Sequence, residues 1–141
     1  MSASNNPLVL VIEDDPICAA MLTEILTEER VEIIRARKLG DAQVLLNTRT
    51  FAGVVIDGLL PDGSGEDFVR RNRDLLGKTK VIFCSSFFRR YGTHERLKMD
   101  LGCESVLNKP FTRTEVLEAA ATIIAQRGVE LVASDAVPVA A

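Results

Sequence analysis

The sequence predicts an α/β fold with an all-parallel sheet covered by helices on both faces. Three observations carry that expectation. Short aliphatic runs recur along the chain, as in Leu8-Val9-Leu10-Val11-Ile12 and Val54-Val55-Ile56, and runs that apolar suit strands buried on both faces. Segments with helical spacing alternate with them, which is the pattern of βα units. The connections are short, so consecutive elements pack as neighbours.

Taken in order, the first strand is Leu8 to Ile12, ending in Glu13-Asp14-Asp15. Pro16 suits the first helical position, with Asp15 as N-cap. The first helix then carries Ile17, Ala20, Met21, Ile25 and Leu26 near helical spacing and fades at Glu28-Glu29-Arg30. Val31 to Ile34 reads as a second, more exposed strand, and Asp41 to Leu46 as a short second helix with Ala42, Leu45 and Leu46 on one face. The third strand is Ala52 to Asp57. Pro61-Asp62-Gly63-Ser64-Gly65 is dense in turn residues, and Ser64 is placed to cap a third helix through Phe68 and Val69.

Lys80 to Cys84 is the fourth strand, ending in Ser85-Ser86, and a weakly patterned fourth helix is expected within Phe87 to Asp100. Glu104 to Leu107 is the fifth strand, ending in Asn108-Lys109-Pro110. Thr112 with Glu115 three residues later makes a capping box for the fifth helix, whose stripe is Val116, Leu117, Ala120, Ile123 and Ile124. The expected organisation is a tail over 1–7, one domain over 8–126 and a loose tail over 127–141.

Composition narrows the class. The 141 residues suffice for one real core, and 47% hydrophobic with 26% charged residues is globular rather than disordered. A net charge of −3 gives no reason to expect direct nucleic-acid binding. No signal peptide is visible at the N-terminus, and no apolar run approaches the ~18 residues that span a bilayer. Cys18, Cys84 and Cys103 are widely spaced and outside any CxxC pattern, which suits reduced thiols in a cytoplasmic protein better than a disulfide framework or a zinc site. Cys84 reads as a buried strand residue, and His94, Arg89, Arg90, Arg96 and Lys98 as a solvated face.

The chemistry sits at strand ends. In a parallel sheet the ends after strands one, three, four and five lie along one edge, and in the flavodoxin-like doubly wound order 2-1-3-4-5 strands one and three flank the switch point where ligands bind. That gathers Glu13, Asp14, Asp57, Ser85 and Lys109. Carboxylates forced together repel, and one takes up a proton unless a cation neutralises them. Mg²⁺ suits such oxygen donors. Lys109 offers a point charge and Ser85 a hydrogen bond to a phosphoryl oxygen, so the set fits phosphoryl transfer onto Asp57 as an acyl phosphate. Each residue also has a plainer reading: Asp57 as a turn cap, Glu13 and Asp14 as partners of a helix dipole, Ser85 as a small residue, Lys109 as a loop lysine.

Four segments in order resemble the receiver domain of two-component response regulators: Val11-Ile12-Glu13-Asp14-Asp15-Pro16, Ile56-Asp57 with Leu60-Pro61-Asp62-Gly63-Ser64-Gly65, the strand ending in Ser85, and Lys109-Pro110-Phe111. The resemblance covers roughly Leu8 to Gln126. It implies that Asp57 is the phospho-acceptor and that Glu13, Asp14, Asp57 and the Leu59 backbone carbonyl hold Mg²⁺. It further implies that Ser85 is the switch hydroxyl, that Lys109 contacts phosphate, and that Lys109-Pro110 is a candidate cis bond. Phosphate would come from a histidine kinase or histidine phosphotransfer protein. The chain would catalyse its own phosphorylation and slow autodephosphorylation without being a conventional enzyme. Output would pass to a protein partner, by relay, or through a dimer on the face of the fourth helix, fifth strand and fifth helix; with no output domain after the fifth helix, a stand-alone receiver is one expectation.

Two departures stand out. Val106 replaces a Tyr or Phe that many receivers carry there, leaving Phe87, Phe88 or Tyr91 as candidate substitute switches. By the resemblance, Leu59 and Phe87 take the two positions that in the family border the path of the attacking water; both are bulky and apolar, which predicts slow autodephosphorylation. The competing readings are a pseudo-receiver that is never phosphorylated, a haloacid-dehalogenase-like enzyme, and a flavin-binding flavodoxin, which lacks a Ser/Thr/Gly-rich phosphate loop after the first strand. The dehalogenase-like chemistry wants an Asp two residues after Asp57 as acid/base, where Leu59 stands.

Overall fold

A computed structural model describes residues 5–86 and 93–126. The order is β1 (Leu8–Ile12), α1 (Pro16–Glu28), β2 (Glu32–Ala36), α2 (Leu39–Thr48), β3 (Gly53–Asp57), β4 (Leu59–Leu60), β5 (Gly63–Ser64), α3 (Gly65–Arg71), α4 (Arg73–Leu76), β6 (Lys80–Ser85), α5 (Thr93–Leu101), β7 (Ser105–Asn108) and α6 (Arg113–Ala119). Five strands pair in parallel in the order β2-β1-β3-β6-β7, the doubly wound arrangement expected from the alternating pattern.

Alternation along the strands divides the core in two. Leu10, Ile12, Val54, Ile56, Val81 and Phe83 face one way, against Leu39 and Leu46 of α2, Phe68 of α3 and Leu97 of α5. Val9, Val11, Val55, Ile82 and Cys84 face the other, against Leu22 and Leu26 of α1 and Val116 of α6. Both faces being covered explains why β1 and β3 read as unbroken apolar runs. Leu22 is wholly buried, and its truncation to alanine should cost about 2–5 kcal/mol.

Local capping follows the sequence. The Asp15 side chain accepts from the Ile17 amide at 3.0 Å, Ser64 accepts from the Asp67 amide at 3.3 Å, and Thr112 with Glu115 closes a capping box. α2 is capped differently: Lys38 at its N-cap makes no side-chain bond, and Asp62 from the β4–β5 turn accepts from the Leu39 and Gly40 amides at 2.8 and 2.9 Å. Those two bonds hold the Asp62 carboxyl below the usual carboxylate range.

Several expected elements shift. The second strand runs Glu32–Ala36 rather than from Val31 to Ile34, since Val31 tucks into the core beside α1. The fifth runs Ser105–Asn108 rather than Glu104 to Leu107, and α2 extends to Leu39–Thr48. The fourth helix is seen at Thr93–Leu101; the part expected over 87–92, with Phe87, Phe88, Arg89, Arg90 and Tyr91, lies outside the described residues, as do the tail at 127–141 and the His94 side chain.

The inward face of α1 is also corrected. Of the expected stripe, Ile25 and Leu26 are buried, but Ile17, Ala20 and Met21 are exposed, Ile17 to 76%, and Cys18, Ala19 and Leu22 face the core instead. Residues 17–22 are apolar all round this helix, so periodicity alone selects no face. Arg96 is more than solvated: it pairs with Glu66 of α3 at 3.2 Å and with Asp100 at 3.6 Å.

Candidate functional site

Sheet register builds the site. Ile12 of β1 pairs with Ile56 of β3, so Glu13 emerges beside Asp57, while Asp57 itself is in register with Cys84 of β6. The Glu13 amide donates to the Ala36 carbonyl at 3.0 Å, which holds this strand end against β2. Lys109 follows the last residue of β7, and the Lys109–Pro110 bond is cis.

The side chains converge. The Lys109 ammonium stands 2.7 Å from Glu13 Oε1 and 3.2 Å from Asp57 Oδ2. Glu13 Oε2 accepts from the Asp15 amide at 3.1 Å, and the Leu59 amide points at Asp57 Oδ1 over a long 3.4 Å. Gly65 lets the start of α3 close in from below: its N–H donates to the Gly58 carbonyl at 3.0 Å, and a Cβ there would collide with the Asp57 carbonyl oxygen. No side chain larger than hydrogen fits without moving the acceptor strand.

Glu13 is 3% and Asp57 8% exposed, while Asp14 is half-buried. Burial pushes the Glu13 carboxyl above its ordinary value and the charge of Asp57 adds to this, against the opposing pull of Lys109 and the Asp15 amide. Burial alone would lower the Lys109 ammonium, but Glu13 and Asp57 outweigh it and raise it, so this lysine stays charged. One carboxylate oxygen each from Glu13, Asp14 and Asp57 lie within 4.8 Å of one another. Glu13 Oε1 is buried against the Lys109 ammonium, which is its charged partner at 2.7 Å. A cluster of three carboxylate oxygens fits a hard, oxygen-seeking cation such as Mg²⁺.

Of the residues expected here, Glu13, Asp14, Asp57 and Lys109 are brought together. Leu59 approaches through its amide, and its side chain is 57% exposed. Ser85 ends β6 opposite Asn108, and its side chain lies outside the described residues. The β4–β5 hairpin, pairing Leu59 with Ser64 and Leu60 with Gly63, was not visible in the sequence; strands of two residues carry no periodicity to find. Its Asp62 tether to α2 was equally hidden.

A family model described as Response regulator receiver domain matches residues 9–121. The chain belongs to this family. Among its relatives, Protein PetR of Rhodobacter capsulatus is 28% identical over 120 residues, 83% of this chain and 48% of PetR. Transcriptional regulatory protein DltR of Streptococcus agalactiae is 28% identical over 110 residues, 77% of this chain and 48% of DltR. The chain thus spans about half the length of the curated relatives it matches. Among solved structures, the non-phosphorylated HemR receiver domain from Leptospira biflexa is 28% identical with a TM-score of 0.74, covering 84% of this chain and 94% of that one. The receiver domain of Francisella response regulator 1452 is 25% identical with a TM-score of 0.76, covering 86% and 98%. The acidic pocket of Glu13, Asp14 and Asp57 with Lys109 is consistent with a phospho-acceptor site. Among the described residues no helix is long and apolar enough to cross a membrane.

Proposed function

We propose that the chain is a phospho-accepting switch of two-component signalling, taking a phosphoryl group onto Asp57 from a phosphohistidine on a histidine kinase or phosphotransfer protein. The observation that carries this reading is the Lys109 ammonium held between Glu13 and Asp57, beside a carboxylate cluster fit for a divalent cation. An Asp57 carboxylate oxygen attacks phosphorus as the donor's P–N bond breaks, leaving an acyl phosphate. Lys109 balances charge on the incoming oxygens, and Glu13, Asp14, Asp57 and the Leu59 carbonyl would hold Mg²⁺. That ion, when bound, supplies charge neutralisation for the phosphoryl group. Ser85, at the end of β6, is the proposed hydroxyl contact.

The functional unit proposed is 8–126, acting in the cytoplasm through a protein partner, a phosphorelay, or a dimer on the face of α5, β7 and α6. Incubation with acetyl phosphate and Mg²⁺, read by intact mass, tests the reading. One added phosphoryl group that Asp57→Asn abolishes is the expected result. No addition, together with no spectral response to beryllofluoride, would make the chain a pseudo-receiver.

A further inference from the structure

We propose that Cys18, Cys84 and Glu13 form a second site, for a thiophilic divalent cation such as Zn²⁺ or Cd²⁺, that shares Glu13 with the acidic pocket. Both sulfurs and a Glu13 carboxylate oxygen lie within 4.8 Å of one another, and all three residues are buried. Each comes from a different element: Cys18 from the first turn of α1, Cys84 from the end of β6 in register with Asp57, Glu13 from the residue after β1. Two thiols widely spaced in the chain are thus delivered to one carboxylate by the fold, which is why spacing gave no zinc signature.

The plainer role for such cysteines is packing as small apolar residues. Packing accounts for Cys103, which lies in the other half of the core with burial pushing its thiol up to about 11. Cys18 and Cys84 differ in that their sulfurs hydrogen-bond each other beside the buried Glu13 carboxylate; that bond and burial together push the Cys84 thiol far up, so a bound cation has to displace its proton. A tetrahedral zinc, with Zn–S bonds of ~2.3 Å, sets its ligand atoms roughly 3.5–3.8 Å apart, so side-chain shifts of about an ångström would complete the set. Three protein donors leave a fourth position open. Sulfur donors select against Mg²⁺ and for softer ions. On binding, each thiol gives its proton to solvent, and the cation is held by two thiolates and one carboxylate. The complex carries one excess negative charge, which the Lys109 ammonium beside Glu13 offsets. Because Glu13 serves both sites, occupation of the thiol site weakens Mg²⁺ binding and slows phosphorylation; this second half rests on the phospho-acceptor reading, and the cation site itself does not.

The test uses the full chain, reduced, titrated with Cd²⁺ alone and followed by its ultraviolet sulfur-to-cadmium charge-transfer absorption. The expected result is a band saturating at a single Cd²⁺ per chain, lost in Cys18→Ala and in Cys84→Ala and kept in Cys103→Ala. Cys18→Ala bears the main weight, since alanine suits a helix and its fold is checked by circular dichroism. No band at equimolar Cd²⁺, or an undiminished band in Cys18→Ala, would overturn the site. With Cd²⁺ at ~10 times its Kd, acetyl phosphate labelling at limiting Mg²⁺ should slow roughly tenfold in the wild type and stay unchanged in Cys18→Ala. Unslowed labelling with the band at full height would overturn the sharing of Glu13. A chain that takes no phosphate even without Cd²⁺ would count against the phospho-acceptor reading, while the band still decides the cation site.

Discussion

The two ends of strand β7 are built very differently. Just past its C-terminal end, Lys109 is fixed by two carboxylates, at 2.7 and 3.2 Å, in a pocket whose walls are set by sheet register. Near its start, Val106 is half-buried beside an open groove of about 340 Å³ that Lys98, Glu115 and Glu118 also border. The first region is over-determined: charge, register and the missing side chain of Gly65 all hold it in place. The second is loosely occupied, with a valine where many receivers resemble one another in carrying a ring. Under the proposed reading, accepting phosphate and reporting it are separable demands on this fold, served by the tight end and the loose end respectively.

Substitutions at the tight end should be the most damaging. Asp57→Asn should abolish labelling by acetyl phosphate altogether. Lys109→Met should slow labelling about 100-fold, the usual loss when one preorganised charge contact is removed. It should also destabilise the fold by about 3 kcal/mol in urea titrations, since Glu13 and Asp57 lose the cation they face. Labelling by Lys109→Met at the wild-type rate would show that the Lys109 charge does not serve the phosphoryl group.

Glu13 gives a pH signature. Its folded-state pKa is raised, so the folded chain binds more protons than the unfolded one above about pH 4.5, and stability falls as pH rises through that window. Glu13→Gln should then melt higher than the wild type at neutral pH, with the advantage vanishing as pH drops toward 4.5. An advantage that instead grows with acidity would mean that the Lys109 pair outweighs the burial of Glu13.

Two further variants probe the surroundings. Leu59→Asn combined with Phe87→Glu should shorten the phospho-Asp57 half-life, because the exposed leucine beside Asp57 gives way to groups that admit and orient water. At the loose end, Val106→Tyr should change stability by less than about 1 kcal/mol and leave labelling within about twofold, while enlarging the spectral response of α5 and α6 to beryllofluoride. A large loss of labelling in Val106→Tyr would show that the two ends are coupled after all.

The sheet and its acidic edge were legible because β1 and β3 are apolar without interruption and stop abruptly at carboxylates. The α1 face was not, since Ile17 to Leu22 offers apolar side chains in every direction and only tertiary packing chooses Cys18 and Leu22. The third helix breaks at Asn72, whose side chain is buried and bonded to the Phe68 carbonyl at 2.9 Å; nothing in its spacing announces that. Asp62 looked like a turn residue and is one, but its carboxylate also caps α2 across space. Such contacts, like the meeting of Cys18 with Cys84, exist only once the layers have packed.

Phosphorylation on Asp57 makes an acyl phosphate. Borohydride reduces such a mixed anhydride to the alcohol, so treating the acetyl phosphate-labelled chain and sequencing its peptides by mass reads the acceptor directly. Homoserine is expected at position 57, with no other carboxylate converted. Conversion at Asp14 or Glu13 instead, or none at all in a chain that has gained a phosphoryl group, would contradict Asp57 as the acceptor.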